Sequence, residues 1–227
     1  MKRFHAAIFD MDGLLLDTER IALLAFLEAC EHFGIGAQTE VFTRCLGTNE
    51  ALGMAILEAG LEGKADHLEF RRVWESRYVA SITSRPVPLK DGASELLEHL
   101  AALSMPLAVA TSSNTPRARQ KLRDAGILDR FAAVVGGDQV PRSKPDPDIY
   151  LKAAASLGVA PAMCLALEDS ENGVRAALSS GMTVIQIPDL VEPAPHVREF
   201  GHIILRSLRD VADYAFTEEV GLQSHQR

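Results

Sequence analysis

Five short segments of this chain are apolar on nearly every residue: 6–9, 107–110, 132–135, 164–167 and 183–187. None alternates apolar with polar residues, as a strand with one wet face does. A run that is apolar on both faces marks a strand covered by helices on both sides, which is the condition of a parallel sheet. Helical patterns stand between the runs. Thr115 and Pro116 read as an N-cap followed by a proline at the first helical position. Ala118, Leu122 and Ala125 continue as an apolar stripe, and Gly126 stands where a left-handed closing residue is expected. Further helices are expected over 148–157, closed by Gly158, and over 172–180, closed by Gly181. Strands alternating with helices predict an α/β protein with a doubly wound parallel sheet.

The first strand breaks the alternation. After 6–9 a long helical stretch begins at Thr18, runs to about Phe33, and continues through 49–59 and 66–82 until Pro86 and Pro88 end it. The expectation is a core made of residues 1–15 and 86–227, with an all-helical domain inserted at 16–85. An insertion at the C-terminal end of a strand is placed over the edge where open α/β sheets bind ligands.

Four polar motifs begin at the ends of the apolar runs. Asp10-Met11-Asp12-Gly13 puts two carboxylates two residues apart; one can attack phosphorus and the other can move a proton. Thr111-Ser112-Ser113-Asn114 offers hydroxyls and backbone N–H groups at a helix start, which suits an anion. Ser143-Lys144-Pro145-Asp146 holds a lysine in a turn, where its ammonium can meet a phosphoryl oxygen. Glu168-Asp169-Ser170-Glu171-Asn172-Gly173 offers carboxylates for a hard cation. Alone, each has an ordinary explanation as an acidic turn, a helix cap or a solvated loop. Their meeting at one edge of one sheet is what points to a site.

In this order, DMDGLLLD, ATSSN, SKPDPDIY and LALEDSENG resemble the haloacid dehalogenase superfamily of aspartate-dependent phosphotransferases, over essentially the whole chain and with the helical insertion where that superfamily carries its cap. The branch it resembles most is that of β-phosphoglucomutases and sugar phosphatases. The resemblance implies that Asp10 is the nucleophile and a Mg²⁺ ligand. It implies that Asp12 is the general acid and base, with its backbone carbonyl also on Mg²⁺. Thr111 would hold the transferring phosphoryl group, with Ser112 and Asn114 supporting. Lys144 would neutralise phosphate charge and steady Asp10. Asp169 would bind Mg²⁺ directly and Glu168 through a water.

The second aspartate, Asp12, sets this chain apart from the dehalogenases. Lys64, the only lysine of the inserted segment, has no neighbours that suit a Schiff base. The mutases place a histidine soon after the Asp-Thr pair, whereas here Asp17-Thr18 is followed by Glu19-Arg20-Ile21-Ala22. Where they carry an arginine for a second phosphate, this chain reads Gly47-Thr48-Asn49-Glu50, and a glutamate repels phosphate. The expectation is therefore a Mg²⁺-dependent phosphatase acting on a small phosphorylated metabolite, a sugar phosphate, through an aspartyl-phosphate. The alternatives are intramolecular transfer as in β-phosphoglucomutase, and a noncatalytic binding protein of the same fold. Arg20, Arg44 and Asn49 are candidate substrate contacts from the helical segment.

Composition removes other classes. The formal net charge is −8, which speaks against general nucleic-acid binding. No apolar run reaches the roughly 20 residues of a membrane span, and the apolar stretch near the N-terminus is too short for a signal-peptide core. Cys30, Cys45 and Cys164 are odd in number and show no CxxC spacing, so neither a disulfide framework nor a zinc site is expected. A cytoplasmic monomer is the expectation.

Overall fold

The computed structural model describes residues 4–48 and 50–216. Six strands form one sheet: β1 (Ala6–Phe9), β2 (Leu107–Thr111), β3 (Ala133–Gly136), β4 (Cys164–Glu168), β5 (Thr183–Gln186) and β6 (Ile203–Ile204). Their order is β3-β2-β1-β4-β5-β6 and every pairing is parallel. The chain thus winds outward from β1 in one direction, returns, and winds out in the other. The switch point lies between β1 and β4, the place where such sheets bind ligands.

Among the described residues ten α-helices complete the fold: α1 (Thr18–Phe33), α2 (Thr39–Cys45), α3 (Glu50–Leu61), α4 (His67–Ser84), α5 (Ala93–Ala102), α6 (Thr115–Asp124), α7 (Asp148–Leu157), α8 (Glu171–Ser179), α9 (Pro195–Arg198) and α10 (Arg209–Phe216). The period-two geometry of the strands sorts the core into two layers. Ala7, Phe9, Val109, Leu165 and Leu167 face α5, α6 and α10. Ala6, Ile8, Ala108, Ala166 and Val184 face α7 and α8. Side chains on both faces are buried, as the continuous apolar runs require.

The helices α1 to α4 pack on one another around a third apolar cluster built on Phe26, Phe42, Leu57, Leu61 and Phe70. Trp74 closes it, and its indole N–H donates to the Ala22 carbonyl at 2.9 Å. The two linkers that lead into and out of this segment pair with each other. Asp17 N–H donates to Pro88 O and Lys90 N–H to Leu15 O, both at 2.9 Å.

The strands and the helices α1, α6, α7 and α8 fall within a residue or two of their expected places. One cap differs. Asn114, not Thr115, caps α6, because its side chain accepts from the Arg117 N–H while the Thr115 hydroxyl is tied to Asp138 at 2.7 Å. The expected helix over 49–59 begins at Glu50 and runs on to Leu61; Asn49 lies outside the described residues. The short β6, the helix α5 and the helix α10 go beyond what the sequence indicated.

Candidate active site

The polar motifs meet where the strands end. β2 and β4 extend one residue past their apolar runs, so Thr111 and Glu168 are themselves strand residues. Asp10 follows β1 directly, and its N–H still pairs with Leu167 O at 2.9 Å. Its carboxylate is therefore fixed by the sheet rather than by a loop.

Lys144 is the hub. Its ammonium, on a turn after β3, reaches Asp10 Oδ1 at 2.5 Å, Glu168 Oε1 at 2.6 Å and the Ala110 carbonyl at 3.0 Å. Three donors meet three acceptors, which satisfies an ammonium completely. Lys144 is only 8% exposed and Glu168 is fully enclosed. Glu168 also accepts from the Tyr150 hydroxyl at 2.6 Å and, on its other oxygen, from the N–H of Asp169 and both the N–H and hydroxyl of Ser170. The backbone of α8 must come close for this to happen. A Cβ on Gly173 would lie 1.8 Å from Glu168 Oε1, so only glycine fits there.

Asp10, Glu168 and Asp169 bring one carboxylate oxygen each to within 4.8 Å of one another. Among the described residues, only the ammonium of Lys144 stands among them. Burial pushes Asp10 up to about 7, with Glu168 and Asp12 pushing the same way and Lys144 opposing. Asp169 is raised well above the usual carboxylate range by burial and by Asp10, Glu168 and Glu19. Crowded, buried, acceptor-only oxygens fit a divalent cation with oxygen ligands. Gly13, at φ +88°, lets the chain turn under Asp169; a Cβ there would meet Asp169 Oδ2 at 2.3 Å.

Asp12 has a different setting. It is held by a second lysine, Lys121 on α6, at 2.7 Å, and by the Ser113 hydroxyl at 2.8 Å. Burial raises its pKa, but Lys121, Ser113 and Thr18 together outweigh this, and the net shift is downward. Lys121 also donates to the Tyr78 hydroxyl of α4 at 3.2 Å. Two carboxylates two residues apart thus have separate ammonium partners and opposite shifts.

Asp10, Asp12, Ser113, Lys144 and Asp169 line a cavity of about 540 Å³ with Thr111, Ser112, Glu19, Thr48, Ser170 and Asn172. The Thr111 hydroxyl accepts from the Ser113 N–H at 3.1 Å, which leaves its own proton for a ligand. Asp10, Asp12, Thr111, Ser112, Lys144 and Asp169 therefore share one cavity, with Glu168 beneath it. Asn114 caps α6 and is not part of the lining. Arg20 pairs with Asp17 at 3.2 Å and Asp189 at 3.7 Å, also away from the lining. Asn49 lies outside the described residues.

Four participants were not singled out from the sequence: Lys121, Ser113, Tyr150 and Glu19. Lys121 carried a signal, because it falls inside the apolar stripe of Ala118, Leu122 and Ala125 and had to be buried. Tyr150 likewise sits among Ile149, Ala153 and Ala154 on the buried face of α7. Ser113 lay within the Thr111–Asn114 run read as an anion site, and Glu19 carried no signal.

The fold and site define an α/β enzyme with an acidic catalytic edge and a paired lysine. A family model described as haloacid dehalogenase-like hydrolase matches residues 7–187. A phosphorylated carbohydrates phosphatase of Thermotoga maritima is 36% identical over 179 residues, covering 78% of this chain and 82% of the relative. A Drosophila melanogaster relative named as a pseudouridine-5′-phosphatase is 36% identical over 201 residues, covering 83% and 84%. The crystal structure of a HAD family hydrolase from Deinococcus radiodurans, with bound phosphate and sodium, superposes with a TM-score of 0.81 at 29% identity, covering 95% of this chain and 96% of that one. The chain belongs to the haloacid dehalogenase-like hydrolase family. Within it, this is a phosphoric monoester hydrolase. Among the described residues no helix is long and apolar enough to cross a membrane.

Proposed function

We propose that the protein hydrolyses the phosphate ester of a small sugar phosphate by way of an aspartyl-phosphate on Asp10. The observation that carries this is the separation of two carboxylates by their lysines. Asp10, bound to Lys144 beside Glu168 and Asp169, sits in the acidic cluster. Asp12, bound to Lys121, sits two residues on in the same cavity.

Asp10 attacks phosphorus and the ester oxygen leaves. Lys121 holds Asp12 as a carboxylate, so Asp12 takes up a proton with the substrate, gives it to that oxygen, and then takes a proton from the water that attacks the phosphorylated Asp10 and regenerates the carboxylate. Thr111 donates to a phosphoryl oxygen, and Lys144 offsets the charge of the transferring group. Asp10, Asp169 and the Asp12 carbonyl are the residues we assign to Mg²⁺, with Glu168 contributing its charge from beneath. Bound there, Mg²⁺ supplies positive charge to the phosphoryl oxygens and keeps the carboxylates ionised. We take residues 16–85 as a cap that closes over this cavity on the paired linkers, and the enzyme as a cytoplasmic monomer.

Hydrolysis fits better than intramolecular transfer. The side chain that follows Asp17-Thr18-Glu19 is Arg20, which is engaged with Asp17 and Asp189 rather than with the cavity. The two relatives act, by their names, on phosphorylated carbohydrates and on pseudouridine 5′-phosphate; a phosphorylated sugar is common to both. The test is turnover of p-nitrophenyl phosphate and a sugar-phosphate panel with and without Mg²⁺. Absence of any Mg²⁺-dependent phosphate release overturns the reading. Faster isomerisation of β-glucose 1-phosphate to glucose 6-phosphate than release of phosphate, with a trace of the bisphosphate present, replaces it by the mutase.

A further inference from the structure

Gln186 is the polar exception near the end of the apolar run 183–187, and it is only 2% exposed. A buried primary amide costs stability unless its oxygen and its nitrogen are both paired. Here both are. Nε2 donates to the Asp169 carbonyl at 2.9 Å, and Oε1 lies 2.8 Å from His202 Nε2. The phosphoryl chemistry uses neither contact, yet one of them ends on a residue assigned to Mg²⁺.

The sheet puts the amide there. Gln186 is the last residue of β5 and stands in register beside Glu168, the last residue of β4. Alternation along the two strands points both side chains to the same face, the face covered by α7 and α8. Asp169 is the first residue past β4, beyond the paired part of the strand. Side chains take over its backbone instead. Glu168 Oε2 accepts from the Asp169 N–H at 3.1 Å, and Gln186 donates to the Asp169 carbonyl. The peptide groups on both sides of the Asp169 Cα are thus held from two strand ends. That sets the direction of its carboxylate relative to Asp10, which the same sheet fixes.

The three partners fix one another's polarity. A carbonyl only accepts, so the amide turns its nitrogen to Asp169 and its oxygen to His202. His202 Nε2 then carries the proton and Nδ1 has none. Nδ1 is buried without a partner among the described residues, and burial lowers the His202 pKa, so the ring is neutral. Turned the other way, the amide would set its oxygen against the Asp169 carbonyl and its N–H₂ against the His202 N–H. His202 therefore locks the amide in the orientation that Asp169 needs.

We propose that Gln186 is a positioning residue for the metal site: it holds the Asp169 backbone so that the carboxylate meets the cation, and His202 fixes its amide. The proposal rests on the assignment of Asp169 to Mg²⁺ above. The test is Gln186→Met, which keeps the length of the side chain and removes both hydrogen bonds. Gln186 also lines a cavity of about 420 Å³, from which water can reach the freed carbonyl, so the variant is expected to fold. Mg²⁺ is titrated into the metal-free protein and its Kd is read by isothermal titration calorimetry, beside the Mg²⁺ concentration for half-maximal turnover of p-nitrophenyl phosphate. Both should rise by about tenfold or more, as when a metal ligand loses the partner that orients it. A purely structural role would lower the Tm in EDTA and leave the Mg²⁺ Kd at its wild-type value; that result overturns the proposal and leaves the metal site standing. His202→Phe keeps Gln186 and removes only the group that orients it, so it decides the question if Gln186→Met does not fold. Its Mg²⁺ Kd should rise by a smaller factor, and an unchanged Kd overturns the proposal. A wild-type protein that binds no Mg²⁺ overturns the metal assignment and the role of Gln186 together.

Discussion

The strand-end edge of the sheet and the four-helix segment beside it are stabilised in opposite ways. At the edge, charge is buried. Lys144, Asp10, Glu168 and Asp169 are each less than 10% exposed, and the ammonium and the deepest carboxylate are filled by several partners. In the helical segment, what is buried is aromatic. Phe26 stands 5.1 Å from both Phe70 and Trp74 and 5.4 Å from Phe42, ring centre to ring centre, and the polar groups stay at the rim. Charge held in low dielectric must be fixed in place to be tolerated, so it is built on strand ends that cannot shift. Apolar packing needs no fixed charge partner, so the helical segment is held by ring contacts and joined to the sheet by two paired linkers.

Substitutions should expose this contrast. The largest effect is expected from Asp10→Asn, which removes the nucleophile without changing its size: phosphate release should fall by at least about a thousandfold with an unchanged circular dichroism spectrum. Retained turnover would remove Asp10 from its role. Lys144→Met should cost both activity and stability, since it leaves Asp10 and Glu168 buried without their cation. The expected loss is about 3–5 kcal/mol, read as a lowered Tm. Phe26→Ala should cost a similar amount, about 3–5 kcal/mol, yet spare turnover of acetyl phosphate at temperatures where the protein stays folded; a kcat collapse as deep as that of Lys144→Met would erase the contrast.

Lys121→Met should lower kcat by about 100-fold, the lower end of what proton transfer contributes, because Asp12 loses the partner that holds it. Smallest is a pH effect on the metal-free protein. Burial lifts Asp10 from the ordinary 3.8 to about 7 in the folded state. Between those values the folded state holds a proton that the unfolded state has released, so stability falls as pH rises through this window. In EDTA the Tm should be lower at pH 8 than at pH 5, and Mg²⁺ should remove most of the difference. A Tm in EDTA that rises over this range would show that the acidic cluster is not strained.

Much of this was legible in the residues. A strand buried on both faces must be apolar throughout, so β1 to β5 showed themselves within a residue or two, whereas β6, only two residues long, has no pattern to show. Asp10, Thr111 and Asp169 follow or end a strand directly, Asp12 and Lys144 stand on the turns beyond, and strand ends share one edge, so all five line one cavity as the motif order implied. Lys121 was legible only as a buried residue of the α6 stripe; its partner was not, because Asp12 lies 109 residues away. Tyr150 hid in a stripe that reads as plain core.

The sequence by itself therefore determined the sheet, its polar strand-end edge and the family, since periodicity and strand-end position are local properties of the chain. Only the tertiary structure decided which lysine serves which aspartate, that Asn114 caps a helix, and that Arg20 pairs with Asp17 and Asp189. Those are distances between segments far apart in the chain. They are set by how helices pack, and packing depends on the whole core at once rather than on any one stretch of residues.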